Sequence, residues 1–203
     1  MRFALSILLL LATPALAQDF PALYSVTGVA SNDVLNIREA PDANSSTNGA
    51  LPYNEPHVEV MRLSPDGRWG RVSAEDGGGW VSMRYMAREV NQPILPYDMI
   101  CTGTEPFWAI WLNDRDHIRA EWAFLDIEMR YPGLWASSPT GYRLQTYGFA
   151  AGSKSAQISG VIETETCSDG MSEWEYGFSV NLMMSDGAER HMLTGCCEMM
   201  PPG

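Results

Sequence analysis

At 203 residues and 45% hydrophobic content, the chain has material for one large core or two small ones. Thirteen Lys and Arg against 25 Asp and Glu give a formal charge of -12 at pH 7, and Lys154 is the only lysine. So acidic a surface repels nucleic acid and anionic lipid, because phosphate is held by Lys and Arg; nucleic acid is not an expected partner.

Residues 1–17 carry one positive charge at Arg2, an apolar run from Phe3 to Ala12, and small residues ending Ala15-Leu16-Ala17 before Gln18. This is the layout of a cleavable secretory signal, and the apolar run is too short to span a bilayer comfortably. No cysteine follows the cut, so a lipid anchor is not indicated. The mature chain is expected in the periplasm or the medium, without a membrane anchor. Four cysteines in an exported protein favour disulfides. All lie at or beyond Cys101, so the first half must fold without a covalent staple.

From Leu23 the chain reads as short β segments, at 24–29, 34–38, 57–63, 68–73 and 79–82, with no helical period. Turn chemistry separates them: Ser31-Asn32-Asp33, Ala40-Pro41-Asp42, Ser64-Pro65-Asp66-Gly67 and Glu75-Asp76-Gly77-Gly78. So many short strands over 20–88 suggest a small closed barrel. Leu35 and Ile37 alternate with Asn36 and Arg38, which turns one pair to a core and the other outward. Trp69 and Trp80 fit two places, the barrel core or the wall of a ligand groove where a ring stacks on a sugar or peptide. Arg38 and Arg71 would charge such a groove, or stand as solvated strand arginines.

Val34-Leu35-Asn36-Ile37-Arg38 with Pro41, then Gly49-Ala50-Leu51-Pro52, Gly67-Arg68-Trp69-Gly70-Arg71-Val72, Gly79-Trp80-Val81 and Tyr85-Met86, resembles the bacterial SH3-like (SH3b) domain over its whole length. The resemblance implies a small β-barrel that binds cell-wall peptides or glycans, and it implies no catalysis.

Residues 89–98 contain Pro93 and Pro96 and no apolar period, which reads as a semi-rigid linker. Beyond it, 99–200 reads as a second β unit. Strands are expected at 107–112, 118–124, 143–149, 156–165, 174–182 and 189–195. The alternation of Trp174, Tyr176, Phe178, Val180 and Leu182 with Glu175, Gly177, Ser179 and Asn181 is the cleanest period of two in the chain. The whole chain is therefore expected to be all-β: a signal peptide, an SH3-like barrel, and a disulfide-stapled antiparallel barrel or sandwich.

Cys101 with Gly103, Glu105, Pro106, Phe107 and Trp108, then Cys167-Ser168-Asp169-Gly170-Met171-Ser172-Glu173, then Gly195-Cys196, resembles a family of bacterial envelope proteins. Its pattern is C-x-G-x-E-P-F-W, C-S-D-G-M-S-[DE] and a closing G-C. The resemblance implies a fold and no particular activity. Where that family has alanine after the closing cysteine, this chain has Cys197.

Four cysteines allow three complete pairings. A bridge between the adjacent Cys196 and Cys197 would strain the peptide, which leaves Cys101 and Cys167 each joined to one of the two. Glu105 and Asp169 each follow a cysteine closely. Gathered in an aromatic pocket, two carboxylates can split their pKa values and act as acid and base; otherwise both are turn residues. The tail offers His191, Cys196, Cys197 and Met199 as soft metal ligands suited to Cu(I), with Met171, Met183 and Met184 near in sequence. No C-x-x-C accompanies them and methionine is a common core filler, so no cofactor is expected. The expected function is that of a non-enzymatic envelope protein. Its first module binds peptidoglycan, or a cell-envelope protein, near Trp69, Trp80 and Arg71, and its second binds a ligand or partner. A copper or redox role is the alternative.

Overall fold

A computed structural model describes residues 19–74, 77–138 and 145–202. The leader at 1–17 lies outside them, as do Glu75 and Asp76 of one expected turn and the first two residues of the strand expected at 143–149. The expected all-β architecture is borne out: apart from a 3-10 turn at Met83–Tyr85, the regular elements among the described residues are strands.

The first module runs β1 (Ala22–Val26), β2 (Val34–Arg38), β3 (Thr47–Pro52), β4 (Val58–Val60), β5 (Arg62–Leu63), β6 (Trp69–Val72), β7 (Gly79–Ser82) and β8 (Met86–Arg88). They form a three-stranded sheet β4-β1-β8 and a five-stranded sheet β3-β2-β7-β6-β5. Between them lie Tyr24, Val26, Leu35, Ile37, Val60, Val72 and Val81. Leu35 and Ile37 turn inward while Asn36 is exposed and Arg38 half-buried, as their alternation requires. The single strand expected at 57–63 is two. The chain passes from one sheet to the other at the buried Met61, and His57, at φ 58°, lies outside the strand.

The second module runs β9 (Met99–Thr104), β10 (Phe107–Trp111), β11 (His117–Trp122), β12 (Ile127–Pro132), β13 (Trp135–Ser137), β14 (Thr146–Gly152), β15 (Gln157–Ser168), β16 (Glu175–Ser185) and β17 (Arg190–Met199). All nine join one antiparallel sheet in the order β12-β11-β10-β9-β17-β16-β15-β14-β13. Its two edge strands are neighbours in sequence, separated only by Gly133 and Leu134, so the sheet must curl until its edges approach. Asp116 C=O fixes that crossing by accepting the N–H of Gly133 at 2.7 Å and of Leu134 at 3.3 Å. The concave side is filled by Trp108, Ile110, Trp122, Tyr131, Phe149 and Phe178, among others. Trp122 Nε1 donates to the Tyr131 hydroxyl at 3.2 Å, so this buried indole N–H is satisfied within the core.

Both cysteine bridges follow from strand geometry. Adjacent residues on a strand point to opposite faces, so Cys196 and Cys197 cannot share a partner's side of the sheet. Cys197 is the register partner of Cys101 and bonds to it across β17 and β9, with Cα atoms 4.0 Å apart. Cys196 faces the other way and bonds Cys167, beside the irregularity in β15 between Thr164 and Cys167, with Cα atoms 5.6 Å apart.

The segment between the modules folds back on β1. Gln92 Oε1 accepts the Leu23 N–H and its Nε2 donates to the Leu23 carbonyl, each at 2.8 Å. Leu23 belongs to the first module's strand, yet its side chain is buried in the second module's core.

Candidate ligand-binding face

The five-stranded sheet turns Val72, Val81 and two glycines inward and presents the intervening positions outward. Gly70 and Gly79 are small by necessity, since a Cβ on the first would press into Val60 and Met83, and on the second into Ile37. Outward, the register sets Arg62 opposite Arg71, Arg71 opposite Trp80, and Trp80 opposite Arg38. One cross-strand row therefore reads Arg62, Arg71, Trp80, Arg38. Trp69 stands in the next row, opposite Ser82. All four residues expected at a ligand groove thus share one face. Both tryptophans are half-buried on it rather than placed in the barrel core, which is filled by Tyr24 and aliphatic side chains instead.

The face is divided. At one end Trp69 and Arg38 line an open groove of about 380 Å³ together with Asn36, Tyr85 and Ser82. Arg38 Nη1 donates to the Ser45 carbonyl at 2.6 Å, and among the described residues no carboxylate pairs with this guanidinium. At the other end the guanidinium carbons of Arg62 and Arg71 lie 5.4 and 5.6 Å from the centre of the Trp80 ring. Arg71 is engaged by the second module. Its Nε donates to Glu175 Oε2 at 2.9 Å and its Nη2 to Glu175 Oε1. Ser73 Oγ donates to the Glu175 carbonyl, and a Cβ on Gly78 would collide with the Glu175 carboxylate. The Arg71 hydrogen bonds hold the Glu175 carboxyl below the usual carboxylate range, against its partial burial. Arg62 and Glu175 were not expected at the site from the sequence, and Tyr85 was named only within the SH3-like pattern. The outward parity of Arg62 with Arg71 was the available signal, but it needs the register of β5 on β6.

A second contact between the modules is made by Glu59 of β4. Its Oε2 accepts the Met199 N–H of β17 at 2.8 Å. Burial pushes its carboxyl up to about 8, and the nearby Glu198 carboxylate adds to that rise.

Glu105 and Asp169 do come together, on the rim of an open groove of about 500 Å³ on the convex side of the second module. Thr104 Oγ1 donates to the Asp169 carbonyl at 2.7 Å and ties the two loops. The groove lacks the aromatic walls that would separate two carboxyl pKa values, and Glu105 is exposed. Asp169 accepts the N–H groups of Met171 and Ser172 at 3.0 and 2.8 Å and the Ser172 hydroxyl at 2.9 Å. These bonds hold its carboxyl below the usual range, which suits a turn cap and not a general acid.

The expected soft-metal ligands do not converge. Cys196 and Cys197 are in disulfides, Met199 is buried at one end of β17, and His191 sits eight residues away beside Phe124, ring centres 5.3 Å apart. Eight strand residues span about 26 Å. Among the described residues no three His, Cys, Asp or Glu side chains are placed to hold a metal ion.

Fold and face together define an all-β protein of two contacting modules with two disulfides. Comparison with family models, curated proteins and solved structures finds no match. The disulfides are consistent with an oxidising, extracellular or periplasmic setting, and no helix among the described residues is long and apolar enough to cross a membrane.

Proposed function

We propose that this is an exported, non-enzymatic protein of the bacterial cell envelope whose SH3-like first module binds a cell-wall peptide or glycan. The observation that carries the reading is the pairing of Trp69 with Arg38 in one open groove. A half-buried indole offers a flat stacking surface, and a guanidinium that pairs with no carboxylate among the described residues offers charge-assisted hydrogen bonds. In this reading the second module braces that face and carries a further ligand or partner of its own. The periplasm is the setting, since peptidoglycan is met there.

The test is retention of the mature full-length chain on purified peptidoglycan at low salt, beside a Trp69→Ala variant. Retention that drops in the variant while its melting temperature holds supports the reading. Retention no greater than that of an unrelated acidic protein overturns it.

A further inference from the structure

Three arginines of an acidic chain stand in one cross-strand row with Trp80. Arg62 and Arg71 are direct register partners, and like charges placed opposite each other are destabilising, so the row calls for an anion. Trp80 keeps both guanidiniums over its ring. Arg71 turns two N–H groups towards the two oxygens of one carboxylate, the geometry in which arginine reads carboxylates best. That carboxylate is Glu175, which comes from the other module, 104 residues away in sequence. Glu175 is bound through both parts that a peptide would offer, its side chain by Arg71 and its main-chain carbonyl by Ser73. Gly78 leaves room for the Glu175 carboxylate beside Arg71, since a Cβ there would press into both groups. Arg38, at the far end of the row, opens on the groove beside Trp69.

We propose that Arg62, Arg71, Trp80 and Arg38 form a carboxylate-binding subsite, that Glu175 fills it in cis, and that a carboxylate-bearing wall peptide must displace Glu175 to bind along the whole row. This rests on the wall-binding reading of the same face. The tethered Glu175 acts at an effective concentration in the millimolar range, so it lowers the apparent affinity for any free peptide. Arg38 and Trp69 give such a peptide a foothold that Glu175 leaves uncovered.

The test is calorimetric titration of the full mature chain with soluble muropeptides released from purified peptidoglycan, and with the same peptides after amidation of their carboxylates. Glu175→Gln is expected to bind the free-acid peptides on the order of tenfold more tightly than wild type, and to lose that gain with the amidated set. Arg71→Gln breaks the same contact between modules while removing the cation, and is expected to show no gain. Circular dichroism melts confirm that each variant folds; should Glu175→Gln fail to, Glu175→Asp, one methylene shorter, is expected to show a smaller gain. A Glu175 variant that folds and binds no better than wild type overturns the proposal, as does an equal gain in Arg71→Gln. If retention on peptidoglycan depends on Trp69 and the Glu175 variants show no gain, only the cis occupancy falls. If none of the chains binds, both readings fall.

Discussion

Glu59 on β4 accepts the backbone N–H of Met199 on β17 at 2.8 Å, so a carboxyl group of the first module closes a main-chain hydrogen bond of the second. Burial raises that carboxyl to about 8. Between its ordinary value near 4.3 and that raised value, the folded protein holds a proton that the unfolded chain has released. Stability from this group is therefore fully present at the acid end of the window and falls as pH rises through it, at up to about 1.4 kcal/mol per pH unit. Glu198, also raised by burial, pulls in the same direction. Melting temperatures of the wild type are expected to fall from about pH 5 to about pH 8, with a shallower fall in Glu59→Gln. A level or rising wild-type curve contradicts this.

Glu175 produces the opposite slope at acid pH. Its carboxyl is held below the usual range by Arg71, so its contribution is present above the unfolded value and is lost as pH falls through the folded one. Glu175→Gln is expected to cost about 1 to 3 kcal/mol at neutral pH, as a charge-assisted pair does when one partner is lost. The cost should shrink towards pH 3, and urea melts at both pH values measure it.

The two disulfides should differ in worth. Cys101–Cys197 spans 96 residues and Cys167–Cys196 spans 29. Loop-closure entropy assigns them about 4.7 and about 3.6 kcal/mol respectively. Replacing Cys101 and Cys197 together by alanine is expected to lower the urea midpoint more than replacing Cys167 and Cys196. The reverse order would mean that β9 and β17 keep their register in the unfolded chain.

Gly78→Ala tests the contact between modules without removing a charge. The new methyl meets both the Glu175 carboxylate and the Arg71 guanidinium, so this ion pair must shift to admit it. A loss of about 1 to 3 kcal/mol is expected, with faster hydrogen exchange around 71–73 and 173–176. Unchanged protection at both stretches would show that the modules absorb the methyl.

The rim carboxylates should separate by role. Asp169→Ala removes the acceptor of three turn hydrogen bonds and is expected to cost about 1 to 3 kcal/mol. Glu105→Gln, at an exposed position, is expected to stay within about 0.5 kcal/mol of wild type. Thermal melts of the two variants distinguish them.

Period-two alternation made much of the fold legible: Leu35 with Ile37, and Phe178, Val180 and Leu182, are buried where the pattern puts them. β3 was missed because its side chains are mostly exposed and no apolar alternation marks it, whereas β12 was legible and overlooked, since Ile127, Met129 and Tyr131 alternate with Glu128 and Arg130. Trp69 and Trp80 are large and apolar, yet they face outward; alternation with Gly70 and Val81 gives the parity, and only the second sheet shows which side is the core. The partner of Arg71 carried no local signal, since Glu175 lies in the other module and looks in sequence like any solvent-facing strand acid. The cysteines were half-legible. Opposite faces for Cys196 and Cys197 follow from adjacency, whereas the choice between Cys101 and Cys167 depends on the register of β17 on β9.

Leu23 gives the two modules a common fate. A strand that hydrogen-bonds in one sheet while its side chain fills the other's core cannot leave either without opening both. Denaturation should then be a single cooperative event despite the proline-containing joint, and a chain cut within 89–98 would strand an apolar side chain on one piece and leave a void in the other. Dissecting this protein at its apparent boundary would yield two damaged halves in place of two domains.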